Sequence, residues 1–216
     1  VYPDPDFDAR SVAAASLRRL GNALVRHRAT HAELAEIQDA ADRLADRLVD
    51  REPSPRPTDY LARRYTDARP PDGAEVIAFS DRPLSGPANP LGSDVDMRRH
   101  GEGVRARVIF GAAFESAPQR AHGGAIASMV DDAMGYLMVV LGVAAYTARL
   151  EIDYKGGVPV DSPVWFEAHE SAREGRKLHV DLTVRGGDDH GPDPDGEVLI
   201  AASGLFVLIP PERLSG

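Results

Sequence analysis

The residues best equipped for chemistry lie in one run, His122-Gly123-Gly124-Ala125-Ile126-Ala127-Ser128-Met129-Val130-Asp131-Asp132. Two glycines at the head of an apolar run let a ligand approach the backbone closely. A helix starting there offers unpaired N–H groups and the positive end of its dipole. Such a turn stabilises negative charge developing on a carbonyl oxygen. His122, beside it, can donate a hydrogen bond and orient that carbonyl. The plain alternative is a Gly-Gly turn with an incidental histidine.

Asp131 and Asp132 weigh against that alternative. They lie in a stretch where Ala127, Val130, Met134, Leu137 and Leu141 form an apolar stripe, widened by Ile126, Met129, Met138, Val139 and Val140. A helix apolar nearly all round is buried, and a carboxylate within it needs a partner or a task. The alternatives are a solvated helix edge or an ion pair with an arginine. Adjacent helical residues point about 100° apart, so the two acids cannot face one site. His122 and Asp131 are separated by about 13 Å of straight helix. If both act on one carbonyl, a second subunit must supply one of them, as an isologous dimer with antiparallel helices does.

Further candidates are weaker taken singly. Alternation puts Thr147 on the polar side of its run, where its hydroxyl can hold a water or simply face solvent. Arg176-Lys177, after Gly175, and Lys155, before Gly156-Gly157, suit phosphate binding or are exposed strand ends. The acidic stretch Asp188 to Gly196 lacks the EF-hand spacing, and Ala202 stands where the closing Glu would fall. It reads as a hairpin loop. No His or carboxylate cluster has transition-metal spacing, and neither a Gly-x-Ser-x-Gly elbow nor a phosphate-binding glycine loop occurs. No metal or cofactor is therefore expected.

These residues need elements to position them. A helix over about 124–141 follows the glycines. Val104, Ala106, Val108 and Phe110 alternate with Arg105, Arg107 and Ile109, as in a strand. Further alternating runs follow the helix at 146–154, 164–168, 178–184 and 198–208. Their connections are too short for crossover helices, so the sheet is mostly antiparallel. An α+β architecture results, a curved antiparallel sheet wrapped on one long helix. Two amphipathic helices, about 9–27 and 30–50, come first. Leu17, Leu20 and Leu24 stripe the first; Leu34, Ile37, Ala41, Leu44 and Leu48 stripe the second, which Thr30 and Glu33 can start with a capping box. The pair reads as a packing arm or oligomer contact. Arg51-Glu52-Pro53-Ser54-Pro55-Arg56-Pro57 reads as a linker, and Pro83 to Gly92 as turns and extended loop. The expected division is a helical extension (1–55), a linker and leading loop (56–103) and a core domain (104–216).

Composition limits the partners. The 216 residues include no cysteine, which excludes disulfides, thiolate metal sites and a cysteine nucleophile. A net charge of −9 repels phosphate backbones, so nucleic acid, including a helix-turn-helix reading of the first two helices, is disfavoured. The acidic, Pro-rich opening Val1 to Asp6 is unlike a signal peptide, and the uncharged stretch Ala133 to Ala148 is short for a membrane span. A soluble, cytoplasmic protein is expected.

Residues 104–209 resemble the hotdog-fold acyl-CoA thioesterases, the group of phenylacetate-pathway enzymes and mitochondrial thioesterase superfamily members. The resemblance rests on His122-Gly123-Gly124 with Asp131 nine residues on, Thr147, the strand Leu150 to Val158 with Tyr154-Lys155, and Glu174-Gly175-Arg176-Lys177. Ser85 to Leu91 is similar to a loop before the core in some members. The resemblance implies a hotdog fold acting as a homodimer or dimer of dimers on acyl-CoA. It implies that Gly123 N–H polarises the thioester carbonyl while His122 positions it, with Gly124 alongside. Asp131 of the partner subunit acts as general base or nucleophile, Thr147 positions the water or the acid, and Arg176 and Lys177, with Lys155, meet the CoA phosphates. Ser116 stands where some relatives carry Asn. A non-catalytic acyl-CoA-binding hotdog protein and a hotdog enoyl-CoA hydratase or dehydratase are the rival readings.

Overall fold

The computed structural model describes residues 6–53, 68–76 and 79–210. Most of the expected linker, from Ser54 onward, lies outside them. The first helix, α1 (Phe7–Arg26), is followed by α2 (His31–Val49), which opens with the capping box read from Thr30 and Glu33. The Thr30 side chain accepts from Glu33 N–H, and the Glu33 carboxylate accepts from Thr30 N–H at 2.7 Å. The strands are β1 (Asp94–His100), β2 (Gly103–Ile109), β3 (Ala145–Tyr154), β4 (Val164–Glu174), β5 (Lys177–Gly186) and β6 (Val198–Leu208). The long helix α3 (Gly123–Leu141) lies between β2 and β3 in sequence.

The six strands form one sheet in the order β1-β2-β4-β5-β6-β3, and every neighbouring pair is antiparallel. Alternate side chains of the sheet's inner face, among them Val108, Phe166, Leu182 and Phe206, are buried against α3. α3 buries Met129, Val130, Met134, Leu137 and Met138 almost completely. Its mean hydropathy of 1.4 and its length would also suit a membrane span, but here it is the core helix. Gly204 lets β6 approach it, because a Cβ there would lie 2.7 Å from Met134 Sδ. The helix ends at Gly142, whose φ of 66° is the left-handed cap that glycine adopts without strain.

One element differs from the sequence expectation. β1 lies ahead of position 104, in the region read as leading loop. It is an edge strand with Asp94, Asp96, Arg98, Arg99 and His100, and only Val95 and Met97 supply apolar inward residues. Charge on an edge strand blocks pairing with other chains and also hides the alternation. A separate finding concerns α1. It docks on the core through Ala14, Arg18 and Asn22, not through its leucine stripe. Arg18 Nη1 donates to the carbonyls of Pro87 and Asn89, at 2.9 and 2.7 Å, and Asn22 Oδ1 accepts from Ala113 N–H. Leu17, Leu20 and Leu24 remain 42–53% exposed.

The loop before β1 is fixed to α3 by a buried polar cluster. Asp132 is 7% exposed. Its Oδ1 pairs with Arg82 Nε at 2.7 Å, and its Oδ2 accepts from Ser85 Oγ at 2.5 Å. The Arg82 guanidinium lies 4.8 Å over the Tyr136 ring. Removing one partner of such a pair strands the other charge in a low-dielectric site. Asp132→Ala should therefore lower unfolding stability by about 3 kcal/mol, measured by urea denaturation with the slope unchanged. A loss below about 1 kcal/mol would mean that the pair is solvated and contributes only as a surface ion pair does.

Candidate functional site

α3 leaves one stripe outside the core. Gly124, Ser128, Asp131 and Gly135 recur three and four residues apart, and all are exposed or half-buried. The candidate residues are arranged along and around this stripe.

At its head, His122 is the N-cap of α3. His122 N–H donates to Phe114 O at 2.7 Å and Ala121 N–H donates to Val158 O at 2.9 Å, which fixes where the helix starts. The His122 ring folds back so that Nδ1 accepts from Gly124 N–H at 2.9 Å. This bond leaves Nε2 as the nitrogen that carries the proton of the neutral ring. Gly124 makes room for the ring, since a Cβ there would lie 3.1 Å from two of its atoms. Gly123, the first helical residue, has an N–H with no intrahelical acceptor. Tyr154 Oη donates to Gly123 O at 2.9 Å. The turn thus offers Gly123 N–H and His122 Nε2–H at the positive end of the dipole. Reasoning from sequence misses Tyr154 as a site residue. Its place at the end of β3, in phase with Leu150 and Ile152, is the available signal.

Halfway along the helix, Asp131 Oδ1 accepts a hydrogen bond from Thr147 Oγ1 at 2.8 Å. This reverses the expectation that Thr147 lies on the outer, polar side of its run. Thr147 pairs with the inward residue Phe206, Arg149 pairs with Leu205, and the register shifts between them. This β-bulge absorbs Ala148 and changes the alternation, so Thr147 shares the helix side with Leu150 and Ile152. Asp132 points away from the stripe into its pair with Arg82, as the 100° step requires.

The cations divide between the two ends. Lys155 follows Tyr154 and is exposed near the head of α3. Arg176 and Lys177 are exposed at the β4–β5 turn, beside Leu208 and Val207, whose β3 partners are Ala145 and Tyr146. The chain therefore holds two groups. His122, Gly123, Gly124, Tyr154 and Lys155 form one; Asp131, Thr147, Arg176 and Lys177 form the other. One protomer does not bring them together.

The acidic loop is occupied with its own turns. Asp188 Oδ1 accepts from the N–H groups of His190 and Gly191, which hold its carboxyl below the usual carboxylate range, and Asp193 accepts from Asp195 N–H. No cluster of His, Asp or Glu suited to a metal occurs among the described residues.

A long helix enclosed by one antiparallel sheet, with a ligand-ready helix start, is the arrangement of a hotdog domain. Residues 119–192 match the family model of the thioesterase superfamily. The resemblance of the core to hotdog-fold acyl-CoA thioesterases is thereby borne out. Acyl-coenzyme A thioesterase THEM4 of Bos taurus is 32% identical over 127 residues, 58% of this chain and 50% of its own length. THEM4 of Mus musculus is 34% identical over 103 residues, 48% of this chain and 42% of its own. The chain spans about half the length of these curated relatives. The crystal structure of a thioesterase superfamily protein overlays at a TM-score of 0.75, covering 92% of this chain and 90% of that one, at 24% identity. This likeness shows the fold, and its extent takes in helices of the N-terminal arm.

The His122 geometry is directly testable. Nitrogen-15 NMR of histidine-labelled protein should show His122 as the Nε2–H tautomer at alkaline pH, identified by its loss in His122→Gln. Gly124→Ala should perturb that signal by displacing the ring. An Nδ1–H tautomer would contradict the capping bond.

Proposed function

We propose that this chain hydrolyses the thioester of an acyl-CoA to a free acid and CoA, working as a homodimer or dimer of dimers. The observation that carries this reading is the division of the site residues into two groups, each lacking what the other has. The head of α3 offers donors for a carbonyl oxygen but no base. The Asp131–Thr147 pair offers a base but no donor for the oxyanion. Two-fold apposition of the open helix stripes, with β3 as the free sheet edge, joins one group to the other twice. Roughly 13 Å of rigid helix prevents the union within one chain.

In that site Gly123 N–H and His122 Nε2–H polarise the thioester carbonyl, helped by the helix dipole. The Asp131 carboxylate of the other protomer takes a proton from a water, and Thr147 Oγ1–H fixes which carboxylate oxygen stays free. The hydroxide adds to the carbonyl carbon, the C–S bond breaks, and the proton held by Asp131 passes to the departing sulfur. A nucleophilic Asp131, forming an anhydride that water then opens, uses the same contacts. Lys155, Arg176 and Lys177 supply cations for the CoA phosphates. Cytoplasmic residence is part of the proposal and fits a chain without cysteines.

Thiol release from acyl-CoA tests the activity. Wild type should liberate CoA, and Asp131→Asn should lower kcat by about 100-fold or more, as loss of a general base does. Binding without thiol release would identify an acyl-CoA-binding protein. Conversion of an enoyl-CoA without thiol release would identify a hydratase. Heterodimers of His122→Ala and Asp131→Asn chains contain one intact composite site and should regain activity well above that of either parent. Isolated heterodimers with no recovery would refute the shared site.

A further inference from the structure

The N-terminal arm presents apolar surface that is exposed among the described residues. α2 buries none of its 19 residues. Leu34, Leu44 and Leu48 are 43, 52 and 72% exposed, although they repeat at three- and four-residue spacing with Ile37 and Ala41. A helix of this length gains most of its stability by packing an amphipathic face. The spacing, two apolar positions in every seven, is that of a seam between two helices.

Charge along α2 identifies the occupant. Its first half carries Glu33, Glu36 and Asp39 and no lysine or arginine, while its second half is balanced, with Asp42, Arg43, Asp46 and Arg47. Parallel apposition of two such helices superposes carboxylates on carboxylates. Antiparallel apposition sets each acidic half against the half of the other that holds both arginines. With Leu34 opposite Leu44 and Ile37 opposite Ala41, Glu33 flanks the seam beside Arg47 of the second copy, twice by symmetry. The two-fold axis is then level with residue 39, and the two copies of Gln38 flank it within about 3 Å of each other along the helix direction.

We infer that α2 is a self-complementary arm that pairs antiparallel with α2 of a second copy of this chain. The pairing adds a contact between protomers that lies outside the hotdog core. It is independent of the thioesterase reading, because no residue of the candidate site takes part.

The lack of cysteine in the chain makes the test clean. Gln38→Cys and Ala45→Cys are placed singly in the whole chain and treated, dilute, with a short bifunctional maleimide. Antiparallel pairing brings the two copies of position 38 together and holds the two copies of position 45 about 20 Å apart along the seam. Gln38→Cys should therefore yield a covalent dimer and Ala45→Cys should not. In the Gln38→Cys background, Glu33→Arg or Arg47→Glu alone should cut cross-linking about tenfold through repulsion at both ends. Mixing those two chains restores both attractions and should restore heterodimer cross-linking, which loss of the capping box cannot mimic. Equal cross-linking at both positions would overturn the antiparallel register. No cross-linking at Gln38→Cys, or no recovery on mixing, would overturn self-pairing and leave the stripe to a different partner.

Discussion

The seating of α3 in the concave face of the sheet is the constraint on which the rest depends. A helix with so many apolar side chains can be buried on nearly every face, yet here small and polar residues keep one stripe open. Gly124, Ser128 and Asp131 mark it, and Arg82 covers Gly135 at its end. Burial on the other faces holds the helix rigid, so the spacing between its N-cap and Asp131 is fixed. Each neighbouring acid meets a different fate because of the rotational step between them. Asp131 faces the stripe and Thr147; Asp132 turns inward and must be neutralised by Arg82.

Sequence periodicity disclosed the elements whose burial is regular. The expected spans at the central helix and at 198–208 coincide with α3 and β6 to within a residue, because each has a continuous apolar face. The capping box also formed as read, since it depends only on neighbours in the chain. β1 escaped because an edge strand with Asp94, Asp96 and three basic residues has too few inward side chains to show a period. The leucine stripe of α1 is silent about how that helix docks. That helix reaches the core through polar bonds from Arg18 and Asn22 to loop backbone, which alternation of apolar residues does not report.

The candidate site was legible in kind and less so in arrangement. His122, Gly123 and Asp131 stand out by residue type and spacing, and helical rise alone shows that they cannot meet within one protomer. The Asp131–Thr147 bond is not visible in the sequence, because a bulge changes which side of β3 faces the helix and has no strong local signature at Thr147-Ala148-Arg149. The tie between Asp132, Arg82 and Ser85 spans nearly 50 positions and involves a stretch without periodicity. Contacts of that kind follow from the fold and cannot precede it in an argument from sequence.

The strand order has a consequence for how the chain is made. β3 leaves the end of α3, yet its neighbour in the sheet is β6, the last of the six strands to be synthesised. Until Val198–Leu208 emerges from the ribosome, β3 lacks that backbone partner and α3 lacks part of its cover. The half of the site that contains Asp131 and Thr147 is therefore assembled late. Pairings this distant in sequence are slow to close and expose apolar surface meanwhile. A chain stalled or cleaved before residue 198 would carry every candidate catalytic residue and still leave part of α3 uncovered, as a target for chaperones and proteases.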